Sequence, residues 1–334
     1  MYNKPFHPEN TLEKSSFLVT GGAGFIGSHI VEYLLKYGAK KVRVFDNLAT
    51  GSLSNLNGFD QYPAFEFFEG TICSPADCEK ACEGIEFISH QAALGSVPRS
   101  IINPLQTHEV NASGFLNMLI AAKSASIKRF IYASSSSVYG DNQDLPKTEN
   151  KIGKQLSPYA VSKHTNELYA EVFASLYQMD IIGLRYFNVF GPRQSPEGPY
   201  AAAIPLFFDA MINDKPVFIN GNGEQTRDFT FVENAVQANI RAFFSEPDKQ
   251  RIFNIAVGER VSINALYQSI QKLTASNIQP TYREPRAGDV LNSLADIRMA
   301  EKYLNYHPEI KVHEGLTLSM PWYLNQFQTT KKAI

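Results

Sequence analysis

Short apolar runs recur through the first half of the chain, separated by longer stretches whose apolar positions fall three or four apart. Phe17-Leu18-Val19-Thr20, Lys41-Val42-Arg43-Val44-Phe45, Phe65-Glu66-Phe67-Phe68, Glu86-Phe87-Ile88-Ser89-His90 and Phe130-Ile131-Tyr132-Ala133 read as strands. Between them, Ile30, Val31, Leu34 and Leu35 mark a helix that Gly38 ends. Pro75 to Cys82 reads as another helix, and Val110, Phe115, Leu116, Leu119 and Ile120 carry a longer one. Strands alternating with helices predict an α/β fold with a doubly wound parallel sheet, whose ligands bind beyond the carboxyl ends of the strands. Past Asn188 the alternation fails, and Gly191, Pro192, Pro196, Gly198 and Pro199 crowd one loop. Beyond it the pattern predicts a helix over 201–212, a strand over 217–219 and a helix ending at Phe244. Short strands near 252–256 and 280–282 follow, then a final helix near 297–304. The break predicts two domains, 1–187 and a smaller α/β domain over 188–334, with the segment near 227–256 packing back on the first.

The first predicted strand runs directly into Gly21-Gly22-Ala23-Gly24-Phe25-Ile26-Gly27, and the first helix follows. Glycines at 21, 24 and 27 permit a tight turn, close approach of the backbone to a pyrophosphate, and close packing of helix on strand. The helix start supplies free N–H groups and a positive dipole end for phosphates. Asp46 ends the second strand 19 residues past Gly27, where a carboxylate accepts the adenine-ribose hydroxyls. A carboxylate there repels a 2′-phosphate, so the pattern points to NAD rather than NADP.

A second constellation lies at the end of the Phe130–Ala133 run. Ser135, Ser136 and Ser137 follow it, and Ser157-Pro158 then opens a helix carrying Tyr159 and Lys163. Residues four apart share a helix face, so an ammonium beside the phenol is expected to lower the Tyr159 pKa towards neutrality and make it a general base.

Composition changes this picture little. With 44% hydrophobic and 19% charged residues and a net charge of −2, there is no basic excess to suggest nucleic acid. No run reaches the roughly 18 apolar residues of a membrane span, and the polar start lacks a signal-peptide core. Cys73, Cys78 and Cys82 have no nearby histidine, so they read as free thiols of a cytoplasmic protein rather than a metal site.

Taken together, Thr20–His29, Asp46-Asn47, His90-Gln91-Ala92-Ala93, Ser134–Gly140, Ser157–Lys163 and Arg185–Gln194 resemble the extended short-chain dehydrogenase/reductase family, over nearly the whole chain. Within it the chain looks like nucleotide-sugar enzymes of the UDP-galactose 4-epimerase type. Through His90–Ser100, Gly198–Pro205 and Asn220–Phe229 it is most similar to the bacterial UDP-N-acetylglucosamine 4-epimerases of surface-polysaccharide synthesis. The resemblance implies a Rossmann-type NAD domain, a UDP-sugar domain, a homodimer, and catalysis by Ser135, Tyr159 and Lys163. The apolar surfaces of the 104–122 helix and of the helix that starts at Ser157-Pro158 fit either an intermolecular four-helix bundle or simple cover of the sheet. It implies cofactor contacts from Gly21, Gly24, Phe25, Ile26, Gly27, Asp46, Asn47, Thr71, Ile72, Gln91, Ala92, Ala93, Asn111 and Tyr186, besides Tyr159 and Lys163. Thr71 stands where the family usually has an aspartate for the adenine amino group, which should weaken that contact by about 1 kcal/mol.

The same resemblance implies substrate contacts from Gly95, Ser96, Ser136, Ser137, Asn188, Ala202 and Asp289. It makes Arg227 and Arg286 a diphosphate clamp and Ser293 a small gate residue that admits a 2-acetamido group. With no acid at 136 or 137, elimination of water and decarboxylation are disfavoured. A 4-epimerase of UDP-N-acetylglucosaminuronic acid, with Arg99 on the carboxylate, is the main alternative. A UDP-glucuronate decarboxylase and a non-catalytic NAD-binding regulator are the lesser ones.

Overall fold

A computed structural model describes the chain except residues 198–200, 247–250, 286–290 and 333–334. The first half contains β1 (Ser16–Thr20), α1 (Phe25–Lys36), β2 (Lys41–Asp46), β3 (Phe65–Glu69), α2 (Pro75–Cys82), β4 (Phe87–His90), α3 (Val97–Ile102), α4 (Pro104–His108), α5 (Gly114–Ser124), β5 (Arg129–Ser135), α6 (Pro158–Tyr177) and β6 (Ile181–Tyr186). One turn of π-helix, Glu109–Ser113, joins α4 to α5. The second half contains β7 (Val189–Phe190), α7 (Ala203–Ile212), β8 (Val217–Asn220), β9 (Thr226–Arg227), β10 (Thr230–Phe231), α8 (Val232–Phe244), β11 (Ile252–Ile255), β12 (Val261–Ser262), α9 (Ile263–Thr274), β13 (Pro280–Arg283), α10 (Arg298–Leu304) and α11 (Val312–Lys332).

Seven parallel strands form the central sheet, in the order β11-β6-β5-β4-β1-β2-β3. β1 is buried along its whole length, as expected of a strand covered on both faces, and this explains the continuous apolar runs. On one side α1 and α8 pack together over the sheet; on the other lie α2, α5 and α6. Chain order reverses between β1, which pairs with β2, and β4, which pairs with β1 on the opposite edge. Ligand clefts open above such a switch point.

A separate apolar cluster holds the second half together, with α7, α9 and α11 around Phe208, Leu266, Leu316 and Tyr323. β11 joins the central sheet beside β6, and α10 packs on β11 and α8, so the chain returns to the first body before it ends. Three helices depart from the pattern-based expectation. α3 and α9 are not predicted, and the last helix is α11 rather than the one near 297–304. Pro321 lies inside α11 and removes one backbone donor, which masks the helix from a pattern reading. Tertiary burial of Leu316, Tyr323 and Phe327 supports it all the same. Among the described residues, no helix is long and apolar enough to cross a membrane.

Candidate active site

The glycine turn between β1 and α1 is dictated by space. A side chain at Gly27 would place its first carbon 2.2 Å from the Gly21 carbonyl oxygen, so only glycine lets α1 sit this close to the turn. Gly24 begins α1 without any side-chain cap, which leaves the first helical N–H groups aimed into the cleft. Asp46 accepts the Ala23 N–H at 2.9 Å and the Leu48 N–H at 2.8 Å. Burial raises its pKa and these N–H groups oppose the rise. Each carboxylate oxygen retains a second acceptor site for a ribose hydroxyl.

A cavity of about 910 Å³ runs from this turn to the end of β5. It brings together Gly21, Gly24, Phe25, Ile26, Gly27, Asp46, Asn47, Thr71, Ile72, Gln91, Ala92, Ala93 and Tyr186 with Ser135, Tyr159 and Lys163. Of the residues expected to contact a cofactor, one is missing from this lining. Asn111 does not line the cavity. The π-turn buries its carboxamide, which accepts the Leu94 N–H at 2.7 Å and donates to the Leu94 carbonyl and the Ser162 hydroxyl. Asn111 therefore braces the loop that leads into Gly95 and Ser96. Thr71 lines the cavity and its hydroxyl accepts the Cys73 N–H. His90 points into the core instead, against Phe115 and Phe130, with Thr20 Oγ1 on its ring 2.9 Å away. Burial holds it neutral, its pKa pushed down to about 3.

The Ser135, Tyr159 and Lys163 cluster is built from two helix starts. Ser135 ends β5, and its hydroxyl accepts the Ser137 N–H, opening the turn over 136–139. Gly140 closes that turn at φ +54, with no room for a side chain against the Lys154 carbonyl. Ser157 caps α6 by accepting the Ala160 N–H at 3.1 Å, and Pro158 follows it in the first turn. This sets Tyr159 and Lys163 on the face over the end of β5.

Here the protein alone departs from the expected titration. Burial raises the Tyr159 pKa, and the Ser135 hydroxyl lowers it in part. The Lys163 ammonium donates to the Ala133 carbonyl at 2.8 Å rather than neutralising a phenolate. Burial pushes Lys163 down to about 8, opposed by Glu167. The low phenol pKa anticipated from helix spacing therefore needs a further positive charge in the cleft.

Gly95, Ser96, Ser136, Ser137, Asn188, Arg227 and Ser293 line the other end of the same cavity. Among the described residues, the Ser137 hydroxyl and the Gln194 side-chain Oε1 are buried there without a hydrogen-bond partner, an arrangement that a polar ligand would complete. A smaller cavity of about 250 Å³ shares Asn188, Gln194 and Arg227 with it and continues to Ala202, Phe218, Asn220 and Gln225. Ala202 thus borders this side chamber and not the Ser135–Tyr159 end. Arg286 and Asp289 lie outside the described residues.

Ser293 is fixed from two sides: its N–H donates to the Thr226 carbonyl, and Lys147 pairs with the next two residues through Lys147 N to Leu294 O and an isolated bridge to Ala295. Lys147, Gln194 and Gln106 are cavity residues that pattern reading misses. No local signal marks them, because their place depends on which distant segment packs beside them.

Residues 17–256 match the model of the NAD dependent epimerase/dehydratase family. A protein of Methanocaldococcus jannaschii described as a putative UDP-glucose 4-epimerase is 37% identical over 314 residues, covering 93% of this chain and 99% of the relative. The structure of UDP-N-acetylglucosamine 4-epimerase from Methanobrevibacter ruminantium, in complex with UDP-N-acetylmuramic acid, superposes with a TM-score of 0.88. It shares 39% identity and covers 93% of this chain and 99% of that one. UDP-glucuronic acid 4-epimerase from Bacillus cereus, in complex with UDP-glucuronic acid and NAD, is similar with a TM-score of 0.85, 29% identity, and coverage of 93% and 99%.

Proposed function

The chain belongs to the NAD-dependent epimerase/dehydratase family, and from that premise we propose that it is a UDP-sugar 4-epimerase that interconverts UDP-GlcNAc and UDP-GalNAc, and UDP-Glc and UDP-Gal more slowly. The observation that carries this reading is one cavity in which Ser135, Tyr159 and Lys163 face a sugar end walled by small residues, Gly95, Ser96 and Ser293. In the proposed reaction Tyr159 takes the proton of the sugar 4-hydroxyl, directly or through Ser135, and later returns one to the oxygen of the 4-ketone after the sugar has turned over. Bound NAD would supply the hydride acceptor for the sugar C4 and the hydride donor to its opposite face. Lys163, one turn along α6 from Tyr159 and held on the Ala133 carbonyl, adds its positive charge to that of the bound cofactor in favouring the phenolate. Arg227 and Asn188, with Arg286 and Asp289 from the adjoining segment, hold the UDP half, and the side chamber beside Phe218 takes the uracil ring. Binding energy from the nucleotide lets the sugar itself be held weakly enough to turn over. Ser136 and Ser137 offer no acid to expel water, so the 4-ketone is reduced rather than dehydrated.

Incubating NAD-loaded protein separately with UDP-GlcNAc, UDP-Glc and UDP-N-acetylglucosaminuronic acid tests this. UDP-GalNAc is the expected principal product, and its absence overturns the reading. The uronic acid reading has one observation in its favour, the buried Lys147 on the cavity wall near Ser293. Arg99, the cation first suggested for it, is not on that wall. Preferential turnover of the uronic acid would select it. Ser293→Tyr should lower activity on UDP-GlcNAc by about 100-fold while leaving UDP-Glc turnover within a few-fold of wild type. Equal N-acetyl activity in that variant removes Ser293 as the gate.

We also propose that the enzyme is a homodimer joined through α5 and α6. Ile120, Val161, Leu168, Val172 and Leu176 are exposed there, and the spacing of the last four along α6 makes one apolar stripe suited to a second copy of the same helices. Val172→Glu should shift the sedimentation of the protein to that of a monomer. An unchanged dimer in that variant moves the interface elsewhere. Burial pushes the Cys78 and Cys82 thiols up to about 12, so they are inert and consistent with the proposed cytoplasmic location.

A further inference from the structure

We propose that Glu167 is a positioning residue of this reaction: gripped by Arg185, its buried carboxylate keeps the Lys163 ammonium charged and locks helix α6 onto the end of β5. The inference rests on the reading of Tyr159 and Lys163 as base and partner.

Glu167 stands one turn beyond Lys163 on α6, and both are buried. Residues four apart face the same way. Its Oε1 accepts the Ser134 hydroxyl at 2.5 Å and Arg185 Nε at 2.8 Å, and its Oε2 accepts Arg185 Nη2 at 2.8 Å. Three consecutive residues of β5 are thus engaged by three residues spaced along α6. Ala133 takes the Lys163 ammonium, Ser134 takes Glu167, and Ser135 adjoins Tyr159. Arg185 is fixed in turn by the Tyr139 hydroxyl at 3.0 Å and the Glu149 carbonyl at 2.9 Å. The carboxylate therefore stands with one cation gripping it and the other a helical turn away.

A buried ammonium loses hydration, which favours the neutral amine. Among the described residues, Tyr159, Ser134, Ser135 and Tyr186 line the cavity with Lys163, the neutral His90 and Glu167 interact with it electrostatically, and Arg185 is reached through Glu167. Of these, Glu167 carries the negative charge, and it opposes the desolvation. A pair that merely fastened α6 to β6 would have no such effect on Lys163.

The pH dependence of kcat/KM separates the two roles, measured on NAD-loaded protein with whichever UDP-sugar turns over fastest. Glu167→Gln keeps the shape and an acceptor for Ser134 but removes the charge. Its basic limb should move down by about one pH unit, so that its rate is close to wild type at pH 6.5 and about tenfold lower at pH 8.5. Ser134→Ala removes the hydrogen bond and leaves the charge, so its basic limb should stay where the wild type has it. If Glu167→Gln does not accumulate, Glu167→Gln with Arg185→Met removes both charges and should move the limb in the same direction by a smaller amount, since the more distant Arg185 cation is lost with the carboxylate. An unmoved limb in the Glu167 variant that folds, a loss equal at every pH, or a limb that moves in Ser134→Ala overturns the proposal. Tyr159→Phe distinguishes the premise: retained turnover there means the base assignment failed, whereas a dead Tyr159→Phe with an unmoved Glu167→Gln limb means that Glu167 alone was misread.

Discussion

Tyr159→Phe is expected to reduce epimerisation by about 1,000-fold or more while NAD remains bound. The substitution removes one oxygen and keeps the ring, so the wall shared with Gly21, Gln91 and Tyr186 keeps its shape. What is lost is the acceptor for the sugar proton. General acid–base catalysis contributes roughly 100- to 10,000-fold, and this group would act in both half-reactions. Burial raises the phenol pKa in the protein alone, and the positive charge of bound NAD should bring it down, so in wild type the rate should climb with pH through an acid limb below the Lys163 basic limb. That acid limb should vanish from the residual rate of the variant. The assay is product separation after long incubation, alongside the absorbance of the bound nucleotide. Undiminished turnover, or loss of the nucleotide, contradicts the assignment.

Arg185→Met is expected to cost about 3–5 kcal/mol of stability, because it strands the Glu167 carboxylate in a site with almost no access to water. The side chains of the pair are only 4% and 7% exposed. The loss also frees the Tyr139 hydroxyl, whose own proton goes to Asn254 Oδ1 at 2.5 Å, and the Asn254 amide then donates to the Lys147 and Asp296 carbonyls. The damage should therefore reach the segment that carries Ser293. Urea unfolding measures it, and removing both charges in the Glu167→Gln, Arg185→Met pair should restore most of the lost stability. If the single variant unfolds at the same urea concentration as wild type, the pair is not the buried brace described. Surface pairs such as Lys41–Glu66, with both partners more than a third exposed, should give well under 1 kcal/mol in the same measurement.

The amino-acid sequence by itself determined the features whose geometry is local. Gly21, Gly24 and Gly27 specify a turn through steric exclusion within seven residues. Asp46 is delivered to that turn by a strand of known length. Ser157-Pro158 starts a helix, and a spacing of four then puts Tyr159 and Lys163 on one face. Each rests on backbone rules that hold whatever surrounds them, which is why they were legible together with the doubly wound sheet.

Only the tertiary structure decided matters that depend on which distant surfaces meet. It turned Asn111 inward onto Leu94 through a π-turn that no spacing announces. It kept α11 helical across Pro321 because apolar side chains had a partner layer to fill, and it placed Ala202 on the side chamber beside Phe218 instead of the Ser135–Tyr159 end. It set Lys147 beside Ser293 and Arg185 against Glu167, pairings that arise from desolvation and chain crossing rather than sequence period. The proposed base is the clearest instance. Helix spacing predicts an ammonium beside a phenol, yet burial acts on both groups, and the fold sends the Lys163 proton donor to Ala133. The same four-residue spacing carried one turn further supplies Glu167, the carboxylate that holds that charge in place.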